Sequence, residues 1–322
     1  MKAALLYGPG TADQFSLEDK PIPTPQFGQV LIRVKAFGLN RSELMTRKGL
    51  SPNVRFPRVL GIECVGEVAH DPTGEYAPGQ QVAALMGGMG REFDGSYAEY
   101  TVVPKSIIYP FLSTLSWTEL GAIPEMFQTV YGSLHLSLRI QPGETLLIRG
   151  GTSSIGMLAT QMAKNGGLTV LATTRNVDKE ALLAANGADY VLIDEGSLYN
   201  QVRAIFPNGI DKVLELVGTT TLQDSMYCLK PGGTACMTGM LSENWSIATF
   251  SPMEFIPATV HLTVYDTGQI RSEAIAFQQF IRTVEAGQIK LNVSQVFTLD
   301  NIEKAHQLME QNKAGGKIVV LT

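Results

Sequence analysis

From Trp117 onward the sequence alternates between two patterns, and this alternation is the feature that most constrains the fold. Helical patterns of roughly ten to fifteen residues are separated by short runs of Val, Leu and Ile. Strands and helices that alternate in this way are typical of a parallel sheet with helices on both faces. We therefore predict a doubly wound α/β domain, with strands at residues 145–149, 169–173, 190–193, 212–216 and 234–238.

The rest of the chain has a different texture. Before Trp117 the sequence consists of short β-type runs interrupted by Gly and Pro. Beyond Pro257 come a strand at 261–265 that is able to close the parallel sheet, a long helical pattern, and a final strand, helix and strand. These last elements resemble the first part, which predicts that the α/β domain is inserted into a mostly-β domain. The predicted bounds are 1–118 and 259–322 for the mostly-β domain and 119–258 for the inserted domain.

The segment LLIRGGTSSIG, residues 146–156, joins the first predicted strand of the inserted domain to a helix. A glycine-rich turn at this point directs backbone N–H groups and the positive end of the helix dipole at a ligand, as a diphosphate requires. Gly151, Ser153 and Gly156 occupy the three positions of the GxGxxG fingerprint, so the middle glycine is absent. The hydroxyls of Ser153 and Ser154 are able to join the hydrogen bonding. The segment alone is equally compatible with a plain strand-to-helix connection.

The end of the second predicted strand, LATTRNVDK at 171–179, bears on the choice of cofactor. An NAD site places an Asp or Glu here for the adenosine ribose, whereas this chain has Thr173 and Thr174. Arg175 and Lys179 instead provide two cations that suit a phosphate monoester. The pattern therefore favours NADPH over NADH, and the alternative is a solvated charged face.

Composition excludes several classes of function. The chain has 25 Lys and Arg against 30 Asp and Glu, a net charge of −5. Without a basic patch it is not expected to bind nucleic acid. It has no recognisable signal peptide and no apolar run long enough for a bilayer, so we expect a cytoplasmic protein that does not bind membranes. The three cysteines lack CxxC spacing and the four histidines are scattered, which predicts no metal site.

Several segments together resemble one protein family. They are VKAFGLNRSELMTRKG at 34–49, FPRVLGIECVGEV at 56–68, PGQQVAAL at 78–85, GSYAEYTVVP at 95–104, the glycine-rich segment, LKPGGTACMTG and AGGKIVV. In order and spacing they resemble the medium-chain dehydrogenase/reductase superfamily, in particular its zinc-independent quinone oxidoreductase branch. The resemblance implies a GroES-like mostly-β catalytic domain and a Rossmann nucleotide-binding domain with a doubly wound parallel sheet. Asn40 and Ile62 stand where zinc-dependent relatives have metal ligands, which argues against a catalytic zinc.

The resemblance also implies catalytic residues. It places Asn40 beside the nicotinamide and the substrate, and Thr129 near the nicotinamide face. Arg41 is a candidate on chemical grounds and not from the resemblance: a guanidinium beside the pocket is able to stabilise negative charge that develops on a carbonyl oxygen, and the alternative is a salt bridge with Glu43 or Glu63.

The cofactor-binding residues implied by the resemblance follow the ends of the parallel strands. The pyrophosphate would lie at Thr152, Ser153, Ser154 and Ile155. The adenosine phosphate would lie at Thr174, Arg175 and Lys179. The ribose and nicotinamide would lie at Val217, Gly218, Gly239 and Met240. Asp194 stands near the place of a Tyr that relatives stack by the adenine.

The predicted function is an NADPH-dependent reductase of quinones or of activated, α,β-unsaturated carbonyl compounds that needs no zinc. Two alternatives are an NADPH-binding protein with little turnover and a zinc-free alcohol or aldehyde reductase. The resemblance further suggests a homodimer that pairs the strand at 261–265.

Overall fold

The computed structural model describes all 322 residues. Its strands are β1 (Lys2–Leu6), β2 (Ser16–Asp19), β3 (Gln29–Gly38), β4 (Arg58–Val59), β5 (Glu63–His70), β6 (Gln81–Leu85), β7 (Tyr100–Pro104), β8 (Ile108–Pro110), β9 (Thr145–Arg149), β10 (Thr169–Thr174), β11 (Tyr190–Ile193), β12 (Ile210–Glu215), β13 (Leu229–Met237), β14 (His261–Val264), β15 (Val293–Thr298) and β16 (Lys317–Leu321). Its α-helices are α1 (Arg41–Arg47), α2 (Trp117–Gly121), α3 (Pro124–Tyr131), α4 (Ser154–Asn165), α5 (Glu180–Ala185), α6 (Tyr199–Ile205), α7 (Leu222–Tyr227), α8 (Pro252–Phe255), α9 (Ala274–Glu285) and α10 (Ile302–Glu310). No helix combines the length and the apolar character that crossing a lipid bilayer requires.

The chain divides into two compact units. Unit 1 comprises Met1–Phe127 and Ser272–Thr322, and unit 2 comprises Gln128–Arg271. The sequence placed the two divisions earlier, after residues 118 and 258. The first division differs because it falls inside α3, where an uninterrupted helical pattern carries no local signal. The second differs because β14 pairs with the parallel sheet and so belongs to unit 2.

Unit 1 contains most of the short β-strands. A three-stranded sheet has the order β2-β1-β4, and a seven-stranded sheet has the order β15-β16-β3-β5-β6-β8, with β7 also paired to β3. The long strand β3 is antiparallel to both β5 and β16, in registers that pair Ala36 with Val65 and Gly38 with Val319. The end of β3 and the beginnings of β5 and β16 therefore meet at one edge of the sheet.

Unit 2 is a six-stranded parallel sheet with the order β11-β10-β9-β12-β13-β14. Its central strand β9 is buried from Leu146 to Arg149, as expected for a strand covered on both faces. The five predicted strands and the closing strand at 261–265 are all present; β9 and β11 have the predicted bounds, and those of the other four differ by a few residues. The doubly wound parallel sheet is thus confirmed. Parallel strands bring their carboxyl ends to one edge, which is where ligands bind in such sheets.

Candidate cofactor and active sites

The turn between β9 and α4 depends on glycines. Gly150 has φ +90°, a left-handed conformation that side chains disfavour. A Cβ at Gly156 would lie 2.5 Å from Gly150 O, so the first turn of α4 packs directly on the loop. The turn is also anchored to the next strand, because Gly150 N donates to Thr173 Oγ1 over 3.0 Å and Gly151 N donates to Thr173 O over 3.1 Å.

Ser153 explains why the middle glycine of the fingerprint is dispensable. It is the N-cap residue of α4, with φ −73°, so a side chain is tolerated there. Its hydroxyl donates to Gly150 O over 2.8 Å and accepts from Gly156 N over 3.0 Å. The hydroxyl therefore closes the turn. This use of the Ser153 side chain within the turn differs from the sequence-based idea that it is available to a phosphate.

The turn leaves several donors without acceptors. The backbone N–H groups of Thr152, Ser154 and Ile155 make no hydrogen bond in the structure, and neither do the hydroxyls of Thr152 and Ser154. Such groups at the start of a twelve-residue helix are suited to an anion. The geometry therefore fits the predicted pyrophosphate position, with backbone amides as the main donors.

The carboxyl end of β10 contributes two cations. Thr174 is buried, and its hydroxyl both accepts from Asn176 N and donates to Asn176 O, over 3.1 Å in each case. Arg175 is exposed and Lys179 is half-buried. Neither forms a salt bridge, although the charge of Arg175 contributes to the lowered pKa of Asp194. Thr174 thus shapes the loop, whereas the side chains of Arg175 and Lys179 are not engaged in salt bridges and are accessible to a ligand.

Asp194 follows the carboxyl end of β11, and its carboxylate is paired with Arg149. Its two oxygens accept from Nε and Nη2 of Arg149, over 2.8 Å each, and both side chains are buried. Burial acts to raise the pKa of Asp194, but the Arg149 guanidinium outweighs it and holds the pKa below its ordinary value. The remaining Arg149 donors reach Asp224, Ser225, Thr221 O and Gly196 O. Arg149 therefore ties the ends of β9 and β11 to α7.

Glu215 organises the loop after β12. Its Oε1 accepts from Val217 N over 2.8 Å and from Gly218 N over 3.0 Å, and its Oε2 accepts from Ser225 Oγ. Burial raises the pKa of Glu215 above its ordinary value. A Cβ at Gly218 would lie 3.3 Å from Gly239 O and 3.4 Å from Met240 Cα. The structure thus brings together Val217, Gly218, Gly239 and Met240, as the sequence predicted.

These residues also adjoin the glycine turn. A Cβ at Gly150 would lie 3.2 Å from both Leu216 Cβ and Leu241 Cδ1, and 3.7 Å from Val217 Cγ2. Hence the loops that follow β9, β12 and β13 meet at one edge of the sheet in unit 2.

The predicted catalytic residue Asn40 belongs to a buried polar cluster in unit 1. Its Nδ2 donates to Glu63 Oε1 over 2.8 Å, and its Oδ1 accepts from Lys317 Nζ over 2.6 Å. Lys317 Nζ also donates to Glu63 Oε1 over 2.8 Å. Glu63 Oε2 accepts from Glu125 N over 2.7 Å. The three side chains converge because β3 ends at Gly38 while β5 and β16 begin at Glu63 and Lys317.

Glu43 completes the cluster from the first turn of α1. Its Oε2 accepts from Asn40 N over 2.5 Å and its Oε1 accepts from Ile62 N over 2.9 Å. Burial raises the pKa of Glu43 to about 8. Burial lowers the pKa of Lys317, but the charges of Glu63, Glu125 and Glu43 outweigh it, so the net shift is upward and the ammonium persists.

The two other predicted catalytic residues belong to different units: Arg41 to unit 1 and Thr129 to unit 2. Arg41 is half-buried and its Nη2 donates to Asn312 Oδ1. Glu63, one of its two anticipated partners, is instead paired with Lys317. Thr129 belongs to unit 2, where it is buried in α3 and its carbonyl accepts from Ser133 Oγ over 2.7 Å. No group of three or more His, Cys, Asp or Glu side chains has a geometry that would hold a metal ion.

Sequence reasoning gave no role to the buried charges of Arg149 and Glu215, and it placed Lys317 near the cleft through the resemblance but left its role open. Arg149, Glu215 and Lys317 each interrupt or border an apolar run, in TLLIR, KVLEL and KIVVL. A charge at the end of a run that reads as a buried strand is the available signal, because such a charge needs a partner. The identity of that partner depends on the fold.

Two protein-family models match the chain. The model described as alcohol dehydrogenase GroES-like domain matches residues 26–113, and the model described as zinc-binding dehydrogenase matches residues 186–320. The first confirms the predicted GroES-like domain. The words "zinc-binding" in the second description belong to that family. In this chain Asn40 and Ile62 stand at two positions where the resemblance places metal ligands in zinc-dependent relatives.

Individual relatives cover the chain almost completely. A quinone oxidoreductase of Lama guanicoe is 26% identical over 319 residues, which cover 94% of this chain and 92% of that protein. A solved structure of an NAD-dependent alcohol dehydrogenase is 26% identical, covers 100% of both chains and has a TM-score of 0.85. A mycobacterial structure complexed with NADPH is 24% identical, covers 100% of both chains and has a TM-score of 0.88, which supports the shared fold.

The matched family models and the relatives agree with the fold described above, in which a GroES-like domain accompanies a parallel nucleotide-binding sheet. The chain belongs to the medium-chain dehydrogenase/reductase superfamily, in its quinone oxidoreductase-like branch, and is an oxidoreductase of this NAD(P)-binding dehydrogenase type.

Proposed function

We propose that the protein is an NADPH-dependent reductase that transfers a hydride, without zinc, to a quinone or to an α,β-unsaturated carbonyl compound. One observation carries the proposal. At a single edge of the parallel sheet, the acceptor-free amides of Thr152, Ser154 and Ile155 accompany two cations that form no salt bridge, Arg175 and Lys179. This combination suits a dinucleotide that bears an additional phosphate.

The local chemistry agrees with this choice of cofactor. Asp194, which follows β11, is paired with Arg149, so it presents no unpaired carboxylate to a 2′-phosphate. The acids nearest in sequence to the predicted adenosine site, Asp178 and Glu180, are exposed to solvent. One similar structure is named as an NAD-dependent enzyme, so the affinities of this chain for NADPH and NADH need to be compared directly. Arg175 is the residue expected to decide it.

When bound, a reduced nicotinamide supplies a hydride, which is one proton with two electrons. Asn40 would donate a hydrogen bond to the carbonyl oxygen on which negative charge develops. Water supplies the proton that completes the reduction. Arg41 is proposed to add positive charge near this oxygen, and Thr129 to orient the nicotinamide.

The proposal is tested by initial rates of NADPH and NADH oxidation. The acceptors are 1,2-quinones, 1,4-quinones, enals, enones and simple aldehydes, and the protein is first washed with a chelator. We expect turnover with NADPH on a quinone or an enone class, and no stoichiometric zinc by elemental analysis. Tight NADPH binding without turnover would favour a binding protein, and reduction of simple aldehydes would favour an alcohol or aldehyde reductase. One tightly held zinc per chain would overturn the zinc-independent mechanism.

A further inference from the structure

The buried pair formed by Lys317 and Glu63 has a defined relation to the side-chain amide of Asn40. Each charged group contacts one end of this amide: Lys317 Nζ is 2.6 Å from Asn40 Oδ1, and Glu63 Oε1 is 2.8 Å from Asn40 Nδ2. An ammonium group only donates hydrogen bonds and a carboxylate only accepts them. The amide therefore has one allowed orientation, with its oxygen toward Lys317 and its nitrogen toward Glu63.

This orientation leaves one amide hydrogen weakly bound. Of the two hydrogens on Asn40 Nδ2, one is directed at Glu63, and the other is donated to Gly38 O over 3.4 Å, longer than an ordinary N–H···O bond. The ammonium at Oδ1 also draws electron density from the amide and strengthens its N–H groups as donors. Asn40 is thus held as a polarised donor with one hydrogen weakly engaged.

The surrounding residues hold the pair in place. Glu125 N donates to Glu63 Oε2 over 2.7 Å, while Glu43 binds the backbone N–H of Asn40. A Cβ at Gly38 would overlap Lys317 Cε and would lie 2.6 Å from Glu63 Oε1. The pair therefore fits against the amide only because residue 38 is glycine.

We propose that Lys317 and Glu63 are positioning residues for catalysis: they fix and polarise the Asn40 amide so that its second N–H exchanges the weak bond to Gly38 O for one to the carbonyl oxygen of a quinone or enone, as negative charge develops there. The inference rests on the proposed function, since it assigns the substrate oxygen to Asn40. It assigns a role to Lys317 and Glu63, which lie in two of the segments that carry the family resemblance.

Lys317 and Glu63 could act by stabilising the fold or by positioning Asn40. Replacing both charged side chains together distinguishes these two roles. Lys317→Met alone leaves Glu63 buried without its counter-ion, and the loss of folding would obscure the result. The double variant Lys317→Met/Glu63→Gln removes both charges that contact the amide, so no charged group then fixes which end of the Asn40 amide faces residue 63 and which faces residue 317. Lys317→Arg is the conservative variant, because it retains a buried cation that is able to reach Oδ1.

For the double variant we expect a melting temperature near that of the wild type, a kcat about 10- to 100-fold lower, and a KM for NADPH within about twofold. Lys317→Arg is expected to recover a substantial part of kcat. Wild-type kcat in the double variant would overturn the proposal, as would a uniform loss of stability, cofactor binding and rate that Lys317→Arg does not relieve.

A second measurement is independent of turnover. The side-chain NH2 resonances of Asn40, identified by their loss in Asn40→Asp, are expected to be protected from solvent exchange in the wild type. In the double variant they should exchange rapidly. If the wild type reduces no acceptor, the proposed function fails, and the NMR result still decides whether the amide is fixed. Unprotected Asn40 resonances in the wild type would overturn the orientation itself.

Discussion

At the scale of single residues, the arrangement of buried charge is the main feature of both units. Arg149 and Lys317 are buried cations at the end of one strand and the beginning of another, and each is bound by carboxylates from distant segments. Replacing a whole buried pair by apolar groups is often neutral or stabilising, so such pairs are weak evidence for a stabilising role. What they supply here is defined geometry, because each cation holds the loops or side chains around a candidate site.

Arg175 provides a test at the same scale. Arg175→Ala is expected to weaken NADPH binding about tenfold or more and to change NADH binding little, because only NADPH presents a 2′-phosphate to the guanidinium. The difference should shrink as ionic strength rises, since the side chain is exposed. Titration of the two cofactors by nucleotide fluorescence measures both dissociation constants.

Lys304→Ala is the matched control for Arg175→Ala. Lys304 is an exposed cation on α10 in unit 1, so its removal changes the net charge equally without touching the predicted phosphate position. Its effect on either cofactor should be negligible. Equal losses of NADPH and NADH affinity in Arg175→Ala would contradict the assignment of Arg175 to the 2′-phosphate.

The candidate site was predictable where its residues follow one another along the chain. Arg175 and Lys179 lie within one loop after a recognisable strand, and the glycine turn is a contiguous segment. Lys317 and Glu63 are 254 residues apart, and nothing local to either indicates the other. Their proximity follows from the antiparallel pairing of β3 with both β5 and β16, which a single sequence does not specify.

At the scale of elements, the start of α4 shows how a local substitution is accommodated. Ser153→Ala is expected to lower the free energy of unfolding by about 1 kcal/mol, because it removes the acceptor for Gly156 N. Ser153→Gly is expected to cost only a few tenths of a kcal/mol, since glycine is tolerated at an N-cap. Urea unfolding, combined with hydrogen exchange of the peptide that spans α4, measures both effects.

Ser154→Ala controls for the loss of a hydroxyl in the same turn. Ser154 is the first residue of α4, and its side chain makes no hydrogen bond in the structure, so little change is expected. If Ser153→Ala and Ser154→Ala had the same effect on protection of α4, the capping role of Ser153 would be refuted.

The elements themselves were predictable to different degrees. The central strands of unit 2 are buried on both faces and flanked by helices, so their apolar runs are strong local signals; β9 and β11 have the predicted bounds. The two-residue strand β4 and the seven-residue helix α1 in unit 1 were not predicted. Elements this short gain their stability from tertiary packing and carry little pattern of their own.

At the scale of the whole molecule, the sheet of unit 2 ends at β14, with no strand beyond it. Tyr265 N donates to Met237 O over 3.2 Å, toward β13. Successive amides along a strand point to opposite sides, so the N–H of Val264 is directed away from β13. Val264 is also 59% exposed, an apolar side chain on an edge that is open to pairing.

The homodimer suggested by the family resemblance therefore has a specific test. If two copies pair along β14, Val264→Pro removes an amide from the shared edge while leaving the pairing with β13 intact. Light scattering should then give a mass near the single-chain value of 34.9 kDa for the variant and near twice that value for the wild type. Val264→Thr retains the backbone N–H and the β-branched shape, so it should remain dimeric. A monomeric wild type would exclude the homodimer, and a dimeric Val264→Pro protein would place the contact on a surface other than this edge.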